Sequence, residues 1–298
     1  MSFEIPALDC SRSVQIFLQK TTRCGIVHSV FHRAINLAFD DTLIVLLSAE
    51  QPRMPNGIRI PANVFVTLVK LVYEGVDVQI QPCDTCWEPH PPVASCHWQH
   101  EIVAQHVSML IRDLPGYLPS EGLAPLFGLL LSGMAIPATP LARVALPLLY
   151  QLAWASWQQD RAMLATAVGK LAGLGPGLTP SGDDVLGGFA AVMALLSPYL
   201  SSDGHERVWI AELIAQIAGP RTTLISRVLL DYAAKGEVAE QIGDLLLALA
   251  RPLRGQAAVW QAAQCVLAFG ATSGADTLFG ILLALRVLEG GFDDCHMI

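Results

Sequence analysis

Charge is what this chain has least of. Asp, Glu, Lys and Arg make up 15% of its residues, against 53% hydrophobic ones. That balance excludes an intrinsically disordered chain, which needs the reverse. A basic excess is also missing. The net charge is −8, so a phosphate backbone is not an expected partner and no nucleic acid is predicted. An unbroken apolar run of membrane-spanning length is lacking as well. Residues 122–142 are uncharged, but Pro125, Pro137 and Pro140 interrupt them, which predicts buried helices or a large subunit interface in a homo-oligomer rather than a membrane span. The first ten residues carry Glu4 and Asp9 and no apolar core, so no signal peptide is read there. With an odd set of seven cysteines spread along the chain, the expectation is reduced thiols in the cytosol. Neither H-E-x-x-H nor G-x-S-x-G occurs, which leaves metalloprotease and hydrolase readings without support.

What the chain does have is Gly173-Leu-Gly-Pro-Gly-Leu-Thr-Pro-Ser-Gly-Asp-Asp184, with four glycines and two prolines between long apolar segments. Such loops expose backbone N–H groups. No Gly-Lys-Ser/Thr follows, so this is not a P-loop. Residues 185–196 read as a buried helix bounded by Pro198, and Ser181-x-x-Asp184 fits a capping box at its start. A second copy stands 92 residues on, where Ser273-Gly-Ala-Asp276-Thr-Leu-Phe-Gly280 repeats the S-G-x-D-x-L-x-G of Ser181 to Gly188. Two capped core helices would explain Ser and Asp. They leave Gly182 and Gly274 unexplained, since glycine in a first helical turn costs about 0.5–1 kcal/mol relative to alanine. Something must approach the backbone there, and an anion is the natural guest of a helix N-terminus.

Along the chain, residues 25–82 have a β texture, with runs at 26–30, 43–47 and 76–80 and a Pro55-Asn56-Gly57 turn. Residues 63–74 suit strand or helix equally. From Trp98 onward every long segment has helical periodicity. The predicted fold class is α+β: a small β-rich domain over 1–82, a Cys/Pro-rich connector over 83–97, and a large all-α domain of about ten helices over 98–298.

In the connector, Cys83, Cys86 and Cys96 with one nearby histidine have the ligand types of a structural zinc site, though the spacing is only half regular. A flexible linker with incidental cysteines fits the same residues. The other polar cluster is Pro220 to Arg227, where Thr222 or Thr223 can cap a helix and Arg221 or Arg227 can hold a phosphate or carboxylate, or simply face solvent.

Three marks in order, G-x-G-P-G-L-T-P-S-G-D-D at 173–184, T-T-x-x-S at 222–226 and T-S-G-x-D-x-L-x-G at 272–280, resemble those of the bacterial AllH family. The late mark has Ala275 where relatives usually carry an aromatic. The resemblance covers most of residues 25–290. It implies a subunit of oxamate carbamoyltransferase, working with an FdrA-like protein and a further subunit. It implies phosphorolysis of oxalurate or a related ureido acid to oxamate and carbamoyl phosphate. A non-catalytic partner subunit and a self-sufficient metal-dependent enzyme remain the alternatives.

For a small anionic substrate, the exact repeat predicts two helices entering one pocket about a pseudo-two-fold axis. Gly175, Gly177, Thr179, Ser181, Gly182, Thr222, Ser226, Arg227, Thr272, Ser273 and Gly274 are the candidate anion-binding residues. Asp183, Asp184 and Asp276 are the candidate catalytic ones. Asp183, unmatched in the second copy, is expected to face the ligand or a divalent cation, with Asp184 and Asp276 holding the turns.

Overall fold

The computed structural model describes residues 2–290 apart from 22, 84, 133–138, 202–205 and 253–254. It divides into two compact units, Met1–Pro91 with Glu237–Gly243, and Pro92–Gly236 with Asp244–Ile298.

The first unit is an eight-stranded mixed sheet. Its strands are β1 Ser2–Ile5, β2 Asp9–Ser11, β3 Cys24–Val30, β4 Ile35–Phe39, β5 Thr42–Ser48, β6 Gly57–Ile60, β7 Asp77–Ile80 and β8 Cys86–Trp87. Their order across the sheet is β1-β7-β3-β4-β5-β6-β2-β8. The β-rich runs read from sequence became β3, β5 and β7. Helices α1 Arg12–Lys20 and α2 Ala62–Leu71 accompany them. The stretch that suited strand or helix became α2 because Phe65, Leu68 and Val72 recur on one side and are buried. Side chains such as Ile35, Leu37, Ile58, Ile60 and Val78 close the core. Ser11 ends β2 and caps α1, accepting from the Val14 N–H.

The sheet runs on past residue 82. Cys86–Trp87 pairs in parallel with β2, Cys10 lying opposite Cys86. A segment from far down the chain also joins this unit. Glu240 accepts from the Arg53 backbone N–H and, at 2.6 Å, from its guanidinium, while Ser13 donates to Glu237. Beside them Arg59 and Arg53 both pair with Asp9, which is nearly buried. Burial alone would raise the Asp9 carboxyl; the two arginines outweigh it and hold the group below its ordinary value.

After β8 no strand returns among the described residues. The second unit contains α3 His100–Asp113, α4 Gly128–Ser132, α5 Pro140–Gln158, α6 Arg161–Leu171, α7 Ser181–Leu200, α8 Val208–Ala218 and α9 Leu224–Ala234. Then come α10 Glu240–Leu249, whose residues up to Gly243 count with the first unit, α11 Gln256–Leu267 and α12 Ser273–Leu288. Caps set several starts: Thr139 for α5, Asp160 for α6 and Thr223 for α9. Helix α7 continues to Leu200, past Pro198, because a proline near a helix end removes few hydrogen bonds. It packs on α12, α8 and α9. Although α7 is long and apolar enough to cross a membrane, it is mostly buried inside the protein, as a core helix is.

Candidate functional site

The site is the paired starts of α7 and α12. The loop before α7 needs its glycines for conformation: Gly173, Gly175 and Gly177 have φ of 71°, 120° and 95°, a region that strains other residues. At Gly177 a Cβ would meet nothing within 4 Å, so there the backbone angle alone demands glycine.

Gly182 and Gly274 answer to a different cause. A Cβ on Gly182 would collide with the carbonyl oxygen of Leu171, at the end of α6, and one on Gly274 with that of Val266, near the end of α11. What comes close to each backbone is therefore the end of the preceding helix. The anion inferred from these two glycines is not required by them. Further along, Gly188 lies against the Thr277 carbonyl and Gly280 against that of Val185. These four contacts have the same pattern in both copies, and together they make the pseudo-two-fold relation. Each helix touches the other over its first two turns, which sets the N-termini side by side.

The expected capping box does not form. Ser181 is already helical, Pro180 stands at the cap without a side-chain bond, and Thr272 caps α12 without one either. Instead the copies exchange partners. The Ser181 hydroxyl bonds Asp276, and the Ser273 hydroxyl bonds Asp184. Thr179 stands by Asp184 as well, with its hydroxyl 3.0 Å from that of Ser273. Sequence spacing favoured the local i, i+3 pair; tertiary packing brought the equivalent group of the other copy closer.

Asp183, which the sequence set towards a ligand or cation, is buried and internally bonded. It accepts from the Gly173 N–H at 2.8 Å and from the Thr222 hydroxyl, with the Ser226 hydroxyl beside it. It therefore ties the glycine loop to the start of α9. The T-T-x-x-S mark divides accordingly. Thr222 serves Asp183, while Thr223 caps α9 through the Ser226 N–H and donates to the Leu178 carbonyl. Arg227 has its stem against Gly219, and its charge acts on Asp231. Arg221 bonds the Ile217 carbonyl at 2.6 Å.

Sequence reasoning missed Gly122 and Leu123. The Leu123 N–H donates to Asp276 Oδ1 at 2.7 Å, and a Cβ on Gly122, whose φ is 66°, would sit 2.7 Å from Oδ2. A glycine in a polar-poor loop was the only signal.

Electrostatically the site is a group of three shielded carboxyls. Burial raises Asp183, against the pull of Thr222 and Gly173, and raises Asp276 against that of Leu123 and Ser181. Burial raises Asp184 furthest, well above the usual carboxylate range. Ser273 and Thr179 pull it back, and Asp276 and Asp183 push it further. Asp184 as a whole is not fully buried, yet its Oδ2 is sealed from solvent and has no hydrogen-bond partner among the described residues. Burial favours the protonated form of a carboxyl so placed, the form in which it can donate a hydrogen bond.

Among the described residues no three His, Cys, Asp or Glu side chains are arranged to hold a metal ion. The cation site expected at the three aspartates is thus not formed there, and no zinc group is formed within the unit that holds Cys83 and Cys86. Cys96 lies in the second unit, its thiol turned to the Pro92 carbonyl, and the aspartates are engaged by amides and hydroxyls. Cys83 and Cys86 neighbour Cys10 instead, whose thiol is pushed up to about 12 by burial and by those two cysteines.

Fold and site define an α+β protein whose helical unit is built on two equivalent helix starts joined by exchanged Ser–Asp bonds. The chain belongs to the AllH family. Residues 171–285, which hold all three sequence marks, match the family described as oxamate carbamoyltransferase subunit AllH, and residues 6–97 match the AllH family N-terminal domain. The family is named for a subunit, which ties the chain to carbamoyl transfer by a multi-subunit enzyme. No solved structure matches the chain.

Proposed function

We propose that this chain is the subunit of an FdrA-associated carbamoyltransferase that supplies the proton for transfer, with Asp184 as the general acid. The reaction is phosphorolysis of oxalurate or a related ureido acid. A phosphate oxygen attacks the carbamoyl carbon, the bond from that carbon to the oxamate nitrogen breaks, and the departing nitrogen takes a proton. The products are carbamoyl phosphate and oxamate. The single observation that carries the reading is Asp184: a carboxyl whose protonated form burial favours, at two adjoining helix N-termini, flanked by the Thr179 and Ser273 hydroxyls. The helix ends favour the negative charge of phosphate and of the substrate carboxylate, and a neutral Asp184 adds no repulsion. Asp183 and Asp276 position the two starts.

The test is reconstitution of the chain with its FdrA-like partner and the third subunit, followed by carbamoyl phosphate formation from oxalurate and phosphate. Asp184→Asn is expected to assemble normally and to lose about 100-fold or more in kcat, the usual worth of a general acid. Full activity in an assembled Asp184→Asn complex would overturn the assignment.

One observation favours the non-catalytic partner reading. Leu178 and Phe269, exposed by 46% and 40%, stand just before the two helix starts and suit a subunit contact. Under that reading Leu178→Asp or Phe269→Asp abolishes assembly, while Asp184→Asn leaves activity intact.

A further inference from the structure

Three thiols converge in the first unit, and neither the carbamoyl-transfer reading nor the family match gives them a task. Cys10 lies on β2 in the sheet core with 2% exposure. Its parallel neighbour in register is Cys86 on β8. Cys83 packs on the same core while remaining partly exposed, and its thiol is a hydrogen-bonding neighbour of the Cys10 thiol. The two residues also share an acceptor. The Thr85 carbonyl takes the Cys10 N–H at 3.2 Å and the Cys83 Sγ–H at 3.1 Å.

We propose that Cys10 and Cys83 are a redox pair that closes to a reversible disulfide when the protein meets a hydroperoxide. Cys83 reacts first because it is the accessible member. Its sulfur attacks the peroxide, the O–O bond breaks, and Cys83 becomes a sulfenic acid with release of one water. The Cys10 sulfur then displaces the sulfenic hydroxyl. The S–S bond forms, and hydroxide leaves with the Cys10 proton as a second water. Two thiols give up two electrons, and one hydrogen peroxide becomes two waters.

The position of β8 makes the closure mechanically easy. This strand is two residues long, lies at the end of the sheet and pairs only with β2. The approach from thiol contact to a disulfide therefore moves a short edge segment rather than the core. Cys86 is less suited to close on Cys10, since in-register neighbours on parallel strands project side by side instead of converging.

The experiment treats the full chain with hydrogen peroxide, blocks remaining thiols by alkylation, and maps cross-linked peptides by mass spectrometry without reductant. The expected product joins the peptide of Cys10 to that of Cys83, with loss of two hydrogens and full reversal by dithiothreitol. Cys83→Ser abolishes the cross-link, whereas Cys86→Ser, Cys96→Ser and Cys265→Ser retain it. Because Cys10 is a core residue, Cys10→Ala is followed only for a sulfenic acid at Cys83, trapped with dimedone; the mapping of the unsubstituted protein decides the matter without it. A cross-link from Cys83 to Cys86 or Cys96 would overturn the proposal. So would Cys83 advancing to sulfinic acid while Cys10 stays fully alkylatable after denaturation.

Discussion

Gly188 on α7 lies against the carbonyl oxygen of Thr277 on α12, so closely that a Cβ there would collide with the backbone. The same helix provides its own control, since a Cβ on Gly187 would meet nothing within 4 Å. Gly188→Ala and Gly280→Ala are expected to destabilise by about 1–3 kcal/mol each through overpacking. Gly187→Ala should stabilise by up to about 1 kcal/mol through helix propensity. Urea unfolding of the three variants checks this, and equal effects at 187 and 188 would contradict the close packing of α7 on α12.

The glycine loop is held by Asp183. Asp183→Asn keeps the shape but offers an N–H₂ where the Gly173 N–H or the Thr222 hydroxyl needs an acceptor. The expected cost is about 1–3 kcal/mol. Thr222→Val should cost less, about 0.5–1.5 kcal/mol, because one bond is lost. Hydrogen exchange is the informative readout: protection should fall at the Gly173 amide before the middle of α7 is affected. An unchanged Gly173 amide in both variants would count against the latch.

The buried aspartates make stability depend on pH in an unusual direction. Asp184 is raised well above its ordinary value of 3.8, and Asp183 and Asp276 are raised too. The folded state therefore binds more protons than the unfolded state between the ordinary value and the raised ones. Stability falls as pH rises through the raised values, and this loss is absent below the ordinary carboxylate range. Asp184→Asn imitates the protonated acid. Its stability relative to the unsubstituted chain should rise as the pH climbs above the ordinary carboxylate value of 3.8. A difference independent of pH over that range would mean that Asp184 titrates normally.

Asp9 behaves oppositely, since Arg59 and Arg53 hold it down despite its burial. Its contribution is present above the ordinary carboxylate pKa and is lost as pH falls through the lowered one. Asp9→Asn should cost about 1–3 kcal/mol at neutral pH, allowing for partial exposure of both arginines. That penalty should shrink below about pH 4. A neutral variant would show the cluster to be worth no more than a surface pair.

Periodicity was enough to read most elements. The helical periodicity past Trp98 became helices such as α6 at Arg161–Leu171 and α11 at Gln256–Leu267. Apolar spacing and caps are local, so the sequence carries them whole. The repeat was equally legible, because eight aligned residues need no structure to be seen, and its pairing of α7 with α12 followed. The local partners were not legible. Ser181 and Asp184 are three residues apart and satisfy a capping rule, yet each bonds across to the other copy.

Identity of residue types was thus decided by sequence, and choice of partner by tertiary packing. Glycines at 182 and 274 announced a close approach, but only the fold could say that the carbonyls of Leu171 and Val266 make it. Three aspartates in two motifs announced a polar centre. Their burial, which shifts each carboxyl towards its protonated form, comes with neighbours such as Leu123 and Thr222 that lie 153 and 39 residues away in the chain. Cys10 shows the same limit: nothing near it in sequence points to Cys83 and Cys86, and the register of β2 with β8 brings them together. Local order comes from spacing along the chain; chemistry at a site comes from what distant segments exclude, donate and accept.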